Sequence, residues 1–191
     1  MLERGMNLED GVMISIRPEW CRMILNGEKT LEIRKTRPKL KPPFKCYIYC
    51  TLAGSKEFFA NDLDGSVALW NSEKWWEKKG NVVGEFTCNR FYNYSVIFPE
   101  ANNIPDDAMR LRSHLTNEQI AKYEKAKVVG TTLKCGVYAW EISNLAVYDK
   151  PKKLSEFGIK HAPQSWCYCE ELPARTSQKN GLRWSKLADG L

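Results

Sequence analysis

Hydrophobic and polar positions near the start of the chain predict a strand followed by a helix. Residues 12–16 (VMISI) form an apolar run of strand length. Residues 18–25 then place apolar side chains at helical spacing. Pro18 suits the first helical position, and Gly27 is a natural C-terminal stop. This pattern predicts a strand, a short helix and a turn that delivers the chain to residue 29.

In the segment TLEIRK (residues 30–35), polar and apolar side chains alternate from residue 30 to residue 34, which is typical of a strand. Leu31 and Ile33 are expected to face the core, because successive side chains of a strand point to opposite faces. The other face then carries three polar side chains: Thr30, Glu32 and Arg34. The alternation therefore predicts one core-forming face and one face that carries polar side chains.

The rest of the chain shows further strand and helix signals. Four more strands are predicted at residues 44–51, 81–94, 135–149 and 163–172. Gly84 suggests a bulge in the second of these strands. Thr116 and Gln119 have capping-box spacing and predict a helix, preceded by a loop with a short helix at 99–115. Residues 151–158 read as a turn.

These elements predict one α+β domain, a mixed β-barrel of five to seven strands with two or three flanking helices. The domain is expected over residues 12–172, between a flexible N-terminal extension at 1–11 and a polar C-terminal tail at 173–191. Residues 70–80 (WNSEKWWEKKG) fit a partly exposed helix or a lid.

Composition narrows the function classes. The chain has 191 residues, 43% of them hydrophobic, and a net charge of +6, which mildly favours anionic partners. No apolar run is long enough to span a membrane, and the first ten residues lack the apolar centre of a secretory signal. The seven cysteines include no CxxC pair and lie in strand-like contexts. They are interpreted as structural thiols of a cytoplasmic protein, with no metal or other cofactor expected.

Residues 34–45 (RKTRPKLKPPFK) combine six basic side chains with three prolines. Such a segment is usually an extended, solvated loop. A lysine-rich loop beside a polar cleft also attracts a nucleic-acid backbone. The candidates for phosphate contacts are Lys35, Arg37, Lys39 and Lys41.

Residues 15–35 (SIRPEWCRMILNGEKTLEIRK) resemble the opening of the ASCH domain family. The family pattern G-x-K-x-x-E-x-R is matched by Gly27, Lys29, Glu32 and Arg34. Residues 81–88 (NVVGEFTC) and 137–154 (VYAWEISNLAVYDKPKKL), followed by SWCYCEEL, are similar to later strands of the family. The resemblance covers residues 12–172, apart from insertions near 53–80 and 93–133.

The resemblance implies a PUA-like β-barrel with an RNA- or nucleotide-related role, similar to uncharacterised ASCH proteins of bacteria and phages. Some small family members resemble amidohydrolases that act on acetylated cytidine. Lys29 matches the catalytic Lys of that group, but Glu32 occupies the position of its Thr. This departure weakens the amidohydrolase interpretation.

The candidate ligand-binding residues border the predicted cleft. Arg34 could grip a phosphate or a base edge, Glu32 could accept hydrogen bonds from an exocyclic amine, and Lys29 could contact phosphate or act as a base. Trp166 could stack on a base. The full candidate set is Ser15, Arg17, Lys29, Thr30, Glu32, Arg34 and Trp166. The alternative is a salt-bridged rim with ordinary core aromatics.

Three functions remain open from the sequence. The first is an ASCH module that binds RNA or a nucleotide-like ligand. The second is a small hydrolase, an amidohydrolase or ribonuclease, with Lys29, Glu32 and Glu85 as its catalytic groups. The third is a phage-type inhibitor that binds a protein partner through exposed tryptophans such as Trp75 and Trp76.

Overall fold

The computed structural model describes residues 10–52, 79–124, 127–129, 132–134 and 136–170. In this part of the chain the strands are β1 (Asp10–Ile16), β2 (Leu31–Arg34), β3 (Phe44–Cys50), β4 (Asn81–Tyr94), β5 (Lys127–Val129), β6 (Thr132–Lys134), β7 (Val137–Lys152) and β8 (Trp166–Glu170). The α-helices are α1 (Pro18–Leu25), α2 (Asp106–Ser113) and α3 (Asn117–Tyr123). Short 3-10 helices cover Pro99–Ala101 and Leu154–Phe157.

Six strands form one mixed sheet in the order β2-β7-β4-β3-β1-β8, and β5 and β6 form a separate two-stranded sheet. β1 and β3 run parallel, whereas the other neighbours in the large sheet are antiparallel. No backbone ladder joins the edge strands β2 and β8 within the described residues. The predicted α+β class and the three helices are confirmed, and the six strands of the large sheet fall within the predicted five to seven. This sheet is not closed, and β5 and β6 add a separate pair.

Local sequence signals account for the element ends. α1 begins at Pro18, has Glu19 in its first turn and stops before Gly27, whose φ of 78° favours glycine. Thr116 and Gln119 form the predicted capping box at the start of α3. The pairing register of β4 with β7 shifts between Val82 and Gly84, so the expected bulge is present.

The sheet has a buried cluster on each side. The inner cluster joins alternate residues of β1, β3 and β4 with α1 and Trp140. The outer cluster contains Met13, Tyr47, Tyr49 and Val82, and Phe157 of the second 3-10 helix packs against them. The described cysteines are free thiols, and all except Cys167 are buried.

A third cluster changes the environment expected for β2. Leu31 and Ile33 pack with residues of α2, α3 and β7. Glu32 pairs with Trp140 across β2 and β7 and is only 6% exposed. The strand is therefore buried on both sides, and the expectation that its polar face lines an open cleft is wrong. The helices α2 and α3 cover the side that carries Leu31 and Ile33.

Several sequence expectations lie outside the described residues. These are the suggested lid at residues 70–78, most of the N-terminal extension, and the tail at 173–191. Among the described helices, none has the length and apolar character needed to cross a membrane.

Gly84→Ala tests the close approach of β4 to β7. A Cβ at residue 84 would lie 2.7 Å from the Ala146 carbonyl oxygen and 3.3 Å from Leu25 Cδ2. We expect the free energy of unfolding in urea to fall by about 1–3 kcal/mol, because overpacking forces the backbone to shift. Val147→Ala, at a half-exposed neighbouring position, is the control and should cost less than about 1 kcal/mol. Equal effects of the two substitutions would contradict the close approach.

Candidate ligand-binding site

Lys29 lies inside the protein and not on its rim. Its side chain is 1% exposed, and its Nζ donates a hydrogen bond to the Ser113 carbonyl oxygen at 2.6 Å. The same Nζ lies 3.7 Å from Glu32 Oε2 and 5.1 Å from the centre of the Trp20 ring. The turn at Gly27 brings residue 29 back to the end of α1, where the Lys29 N–H donates to the Met23 carbonyl oxygen.

Glu32 is shared between two cations. Its Oε1 lies 3.0 Å from Arg34 Nη2, and its Oε2 faces Lys29. A buried carboxylate between two cations compensates part of the desolvation cost of each. These three side chains, Lys29, Glu32 and Arg34, are called the buried charge cluster below.

Arg34 connects the two edges of the open sheet. It lies at the end of β2, and its Nη2 donates to the Ser15 carbonyl oxygen of β1 at 2.6 Å. Its Nη1 donates to Ser165 Oγ, just before β8, at 3.3 Å. One guanidinium therefore holds β2 beside β1 and β8, where no backbone ladder joins the edges in the described residues.

The environment of Lys29 changes its proton affinity. Burial lowers the pKa of the Lys29 ammonium from its ordinary value of 10.5, and Glu32 opposes this shift while Arg34 adds to it. Because Lys29 and Glu32 are almost fully buried, the interpretation of these residues as a solvated salt-bridged rim is excluded. The cluster can fix the position of neighbouring segments, and its amine has an altered basicity.

The other predicted residues do not all join the cluster. Ser15 Oγ donates to the Pro163 carbonyl oxygen at 2.6 Å, so this side chain fastens the segment before β8. Thr30 belongs to a different network, where its hydroxyl accepts a hydrogen bond from Arg112 Nε at 3.1 Å. Arg17 is exposed at the start of α1.

Glu85 lies away from Lys29. Its carboxylate is 3.2 Å from Lys45 Nζ and accepts a hydrogen bond from the Tyr148 hydroxyl at 2.5 Å. Glu85 pairs with Tyr47, a member of the outer cluster, so it lies on the face of the sheet opposite the inner core. The structure therefore does not bring Glu85 together with Lys29 and Glu32.

The basic loop is exposed and is fastened to the aromatic side chains of β8. The side chains of Lys35, Arg37, Lys39 and Lys41 are all exposed. Trp166 Nε1 donates to Thr36 Oγ1 at 3.0 Å, and the Lys39 backbone N–H donates to the Tyr168 hydroxyl at 2.8 Å. Cations and half-exposed rings therefore lie side by side on one surface.

Sequence reasoning missed the contribution of β4 to this surface. The Arg37 guanidinium carbon lies 5.4 Å from the centre of the Phe91 ring and 5.6 Å from that of Tyr138. Phe91 was interpreted only as part of a long strand. The signal available was the segment NRFYNY, in which three rings stand among two amides and one arginine.

Comparison with known proteins identifies the fold. No protein-family model matches the chain, and no curated protein is significantly similar. Crystal structures of two single-substitution variants of the ASCH protein of Zymomonas mobilis match over 83% of this chain and 87% and 88% of theirs. Both have a TM-score of 0.51 and 17% identity. The chain has the ASCH-domain fold.

In this ASCH-like fold the motif residues Lys29, Glu32 and Arg34 are the buried charge cluster. Their sequence spacing was read correctly as a unit, and the structure brings all three together. The motif was expected at the mouth of a cleft, but two of its members are almost fully buried. The exposed part of the candidate site is the basic loop that starts immediately after Arg34.

Glu32→Gln tests the charge balance of the cluster. The substitution leaves the Lys29 and Arg34 cations without their carboxylate, and we expect the free energy of unfolding to fall by about 3–5 kcal/mol. Glu28→Gln is the matched control, because Glu28 is more exposed and lies 4.0 Å from Arg22. It should cost less than about 1 kcal/mol. A Glu32→Gln protein as stable as the control in chemical denaturation would contradict the cluster's role.

Lys29→Met tests the lowered pKa of Lys29. Between that lowered value and the ordinary 10.5, the unfolded chain binds more protons at residue 29 than the folded chain does. The contribution of Lys29 to the free energy of unfolding therefore increases as the pH rises through this interval. Below the interval, burial of the charged ammonium lowers that free energy. The free energy of unfolding of the wild type, relative to Lys29→Met, should increase as the pH approaches 10.5. A difference that is constant with pH, or that decreases, would be inconsistent with the shift.

Proposed function

We propose that this ASCH domain binds single-stranded RNA, or a nucleotide-like ligand, on the surface formed by the basic loop and the aromatic side chains of β8. The observation that carries the proposal is the attachment of the loop to Trp166 and Tyr168 by two hydrogen bonds. Proteins that bind single strands combine cations that follow the backbone with rings on which bases stack.

Electrostatics support the proposal. Within the described residues, no carboxylate forms an ion pair with Lys35, Arg37, Lys39 or Lys41. Their charges are therefore available to phosphate groups, and binding would release counterions from the nucleic acid.

The aromatic side chains supply the second requirement. Tyr168 is 43% exposed, and its ring centre lies 5.6 Å from that of the half-buried Trp166. Trp166 in turn contacts the buried Trp140 at 6.0 Å. A base that stacks on Tyr168 or Trp166 would meet rings that are already held in place, so little side-chain entropy is lost on binding.

The buried charge cluster has a positioning role in this proposal. Arg34 ends β2 and begins the basic loop, and it also bonds to Ser165, which directly precedes Trp166. The cations and the rings are therefore fixed relative to each other by one guanidinium, which Glu32 orients. Such preorganisation lowers the cost of ordering the surface when the ligand binds.

Hydrolysis is the second candidate function, and the lowered pKa of Lys29 favours it. A lysine of reduced pKa beside a carboxylate is a candidate general base. However, the Lys29 amine is already bonded to the Ser113 carbonyl, and Glu32 is paired with two cations. RNA or nucleotide binding is therefore the function that the geometry supports better. The protein-inhibitor hypothesis depends on Trp75 and Trp76, which lie outside the described residues.

The double substitution Lys39→Ala/Lys41→Ala tests the proposal. We expect about tenfold weaker binding of a single-stranded RNA octamer at low salt, measured by fluorescence anisotropy. The slope of log affinity against log salt should fall by about 1.4, because each lost phosphate contact contributes about 0.7 for single strands. Lys150→Ala/Lys160→Ala removes the same charge from exposed positions outside the loop and should change the slope little. Equal slopes for the two double variants would contradict the proposed surface.

A further inference from the structure

A surface pocket of about 390 Å³ lies beside the basic loop, at the far end of β4 from Asn81. It is lined by Arg37, Pro42, Asn89, Arg90, Phe91 and Asn93. Its volume is within the range of small-molecule sites, which begin at about 300 Å³. The pocket contains two cations, two amides and one ring, and it has no carboxylate in its lining.

An irregularity in β4 opens this pocket. The pairing of β4 with β7 shifts between Cys88 and Phe91, so Asn89 and Arg90 lie outside the regular ladder. Both side chains are exposed, and bulges of this kind re-aim side chains. After the irregularity, Phe91 pairs with Trp140 and the ladder resumes.

Neighbouring aromatic side chains support the Phe91 ring and the Arg37 guanidinium of the pocket. The Phe91 ring centre lies 5.7 Å from Phe44 and 5.5 Å from Trp140, both of which are buried. Arg37 lies over Phe91 and Tyr138 while its side chain remains exposed. A planar guanidinium fixed on aromatic rings is a stacking platform for a nucleobase.

The two amides can read a base edge. Within the part of the chain that the structure describes, neither the Asn89 nor the Asn93 side-chain amide forms a hydrogen bond. The backbone of Asn93 is nevertheless fixed, because its N–H donates to Asn103 Oδ1 at 2.8 Å and its carbonyl accepts from the Asn103 N–H at 3.3 Å. Each amide offers both a donor and an acceptor, which is the combination that base edges present.

We propose that this pocket binds one unpaired nucleobase selectively, with Arg37 as the stacking platform, Asn89 and Asn93 on the base edge, and Arg90 on an adjoining phosphate. The 65% exposure of the Arg90 side chain leaves it accessible to a phosphate, although its Nε lies 3.6 Å from Glu141. The inference rests on the proposed function and adds base preference to it. The nucleobase belongs either to an RNA strand or to a free nucleotide.

The test compares four homopolymeric RNA octamers, of A, C, G and U, by fluorescence anisotropy at one salt concentration. The wild type should bind the preferred octamer at least about tenfold more tightly than the weakest, since a good amide–base pair discriminates by about this factor. Asn89→Ala/Asn93→Ala should bind all four with the affinity of the weakest. The control Asn26→Ala removes an amide at the end of α1 and should keep the preference.

Two further measurements sharpen the result. Arg37→Lys keeps the positive charge but loses the planar platform. Its affinity for the preferred octamer should therefore be severalfold lower than that of the wild type. Competition by the free 5′-monophosphate of the preferred base, at concentrations near those of the octamer, would identify a nucleotide as the ligand. Competition only by the octamer would identify an RNA strand.

The outcomes separate this inference from the proposed function. Equal binding of all four octamers by the wild type would overturn the base-reading pocket and leave RNA binding standing. A preference that survives in Asn89→Ala/Asn93→Ala would also overturn it. If neither the octamers nor the monophosphates bind, the proposed function itself fails and the pocket inference fails with it.

Discussion

The neutralisation of two cations by Glu32 is the interaction on which the candidate site depends. Lys29 and Glu32 are almost fully buried, and Arg34 reaches from the same carboxylate to β1 and to the residue before β8. Without the carboxylate, two charges would remain in a poorly solvated interior. With the carboxylate present, Arg34 at the end of β2 joins the two edges of the open sheet and fixes the start of the basic loop.

This arrangement separates a motif that organises the fold from an exposed surface that we propose as the ligand-binding face. The motif charges are largely used within the fold, since Lys29 bonds to Ser113 and Arg34 to Ser15 and Ser165. The exposed cations follow in the next few residues. Arg37 lies against rings of β4 and β7, and the loop is hydrogen-bonded to the two rings of β8. The dense charges beside core residues therefore have two locations: the motif charges lie within the fold, and the cations of the basic loop lie on the surface.

Much of the fold was predictable from local patterns, whereas the surroundings of the site were not. Some signals act within a few residues and could therefore be predicted from the sequence. These are the helix start at Pro18, the stop at Gly27, the cap at Thr116 and the bulge at Gly84. The burial of β2 on both sides depends on contacts that no local period could specify, because α2 and α3 cover Leu31 and Ile33, whereas Glu32 pairs with Trp140 of the inner cluster. The separation of Glu85 from Lys29 likewise follows from sheet topology, which alternation within one strand does not specify.

Backbone amide chemical shifts, followed by NMR while a single-stranded RNA octamer is added to the wild-type protein, test the central claim most directly. The account predicts that the largest shift changes at saturation lie in residues 35–41, 89–93 and 166–168, where the basic loop, the end of β4 and the start of β8 meet. Changes concentrated around the second 3-10 helix (Leu154–Phe157), or no changes at saturating RNA, would contradict it.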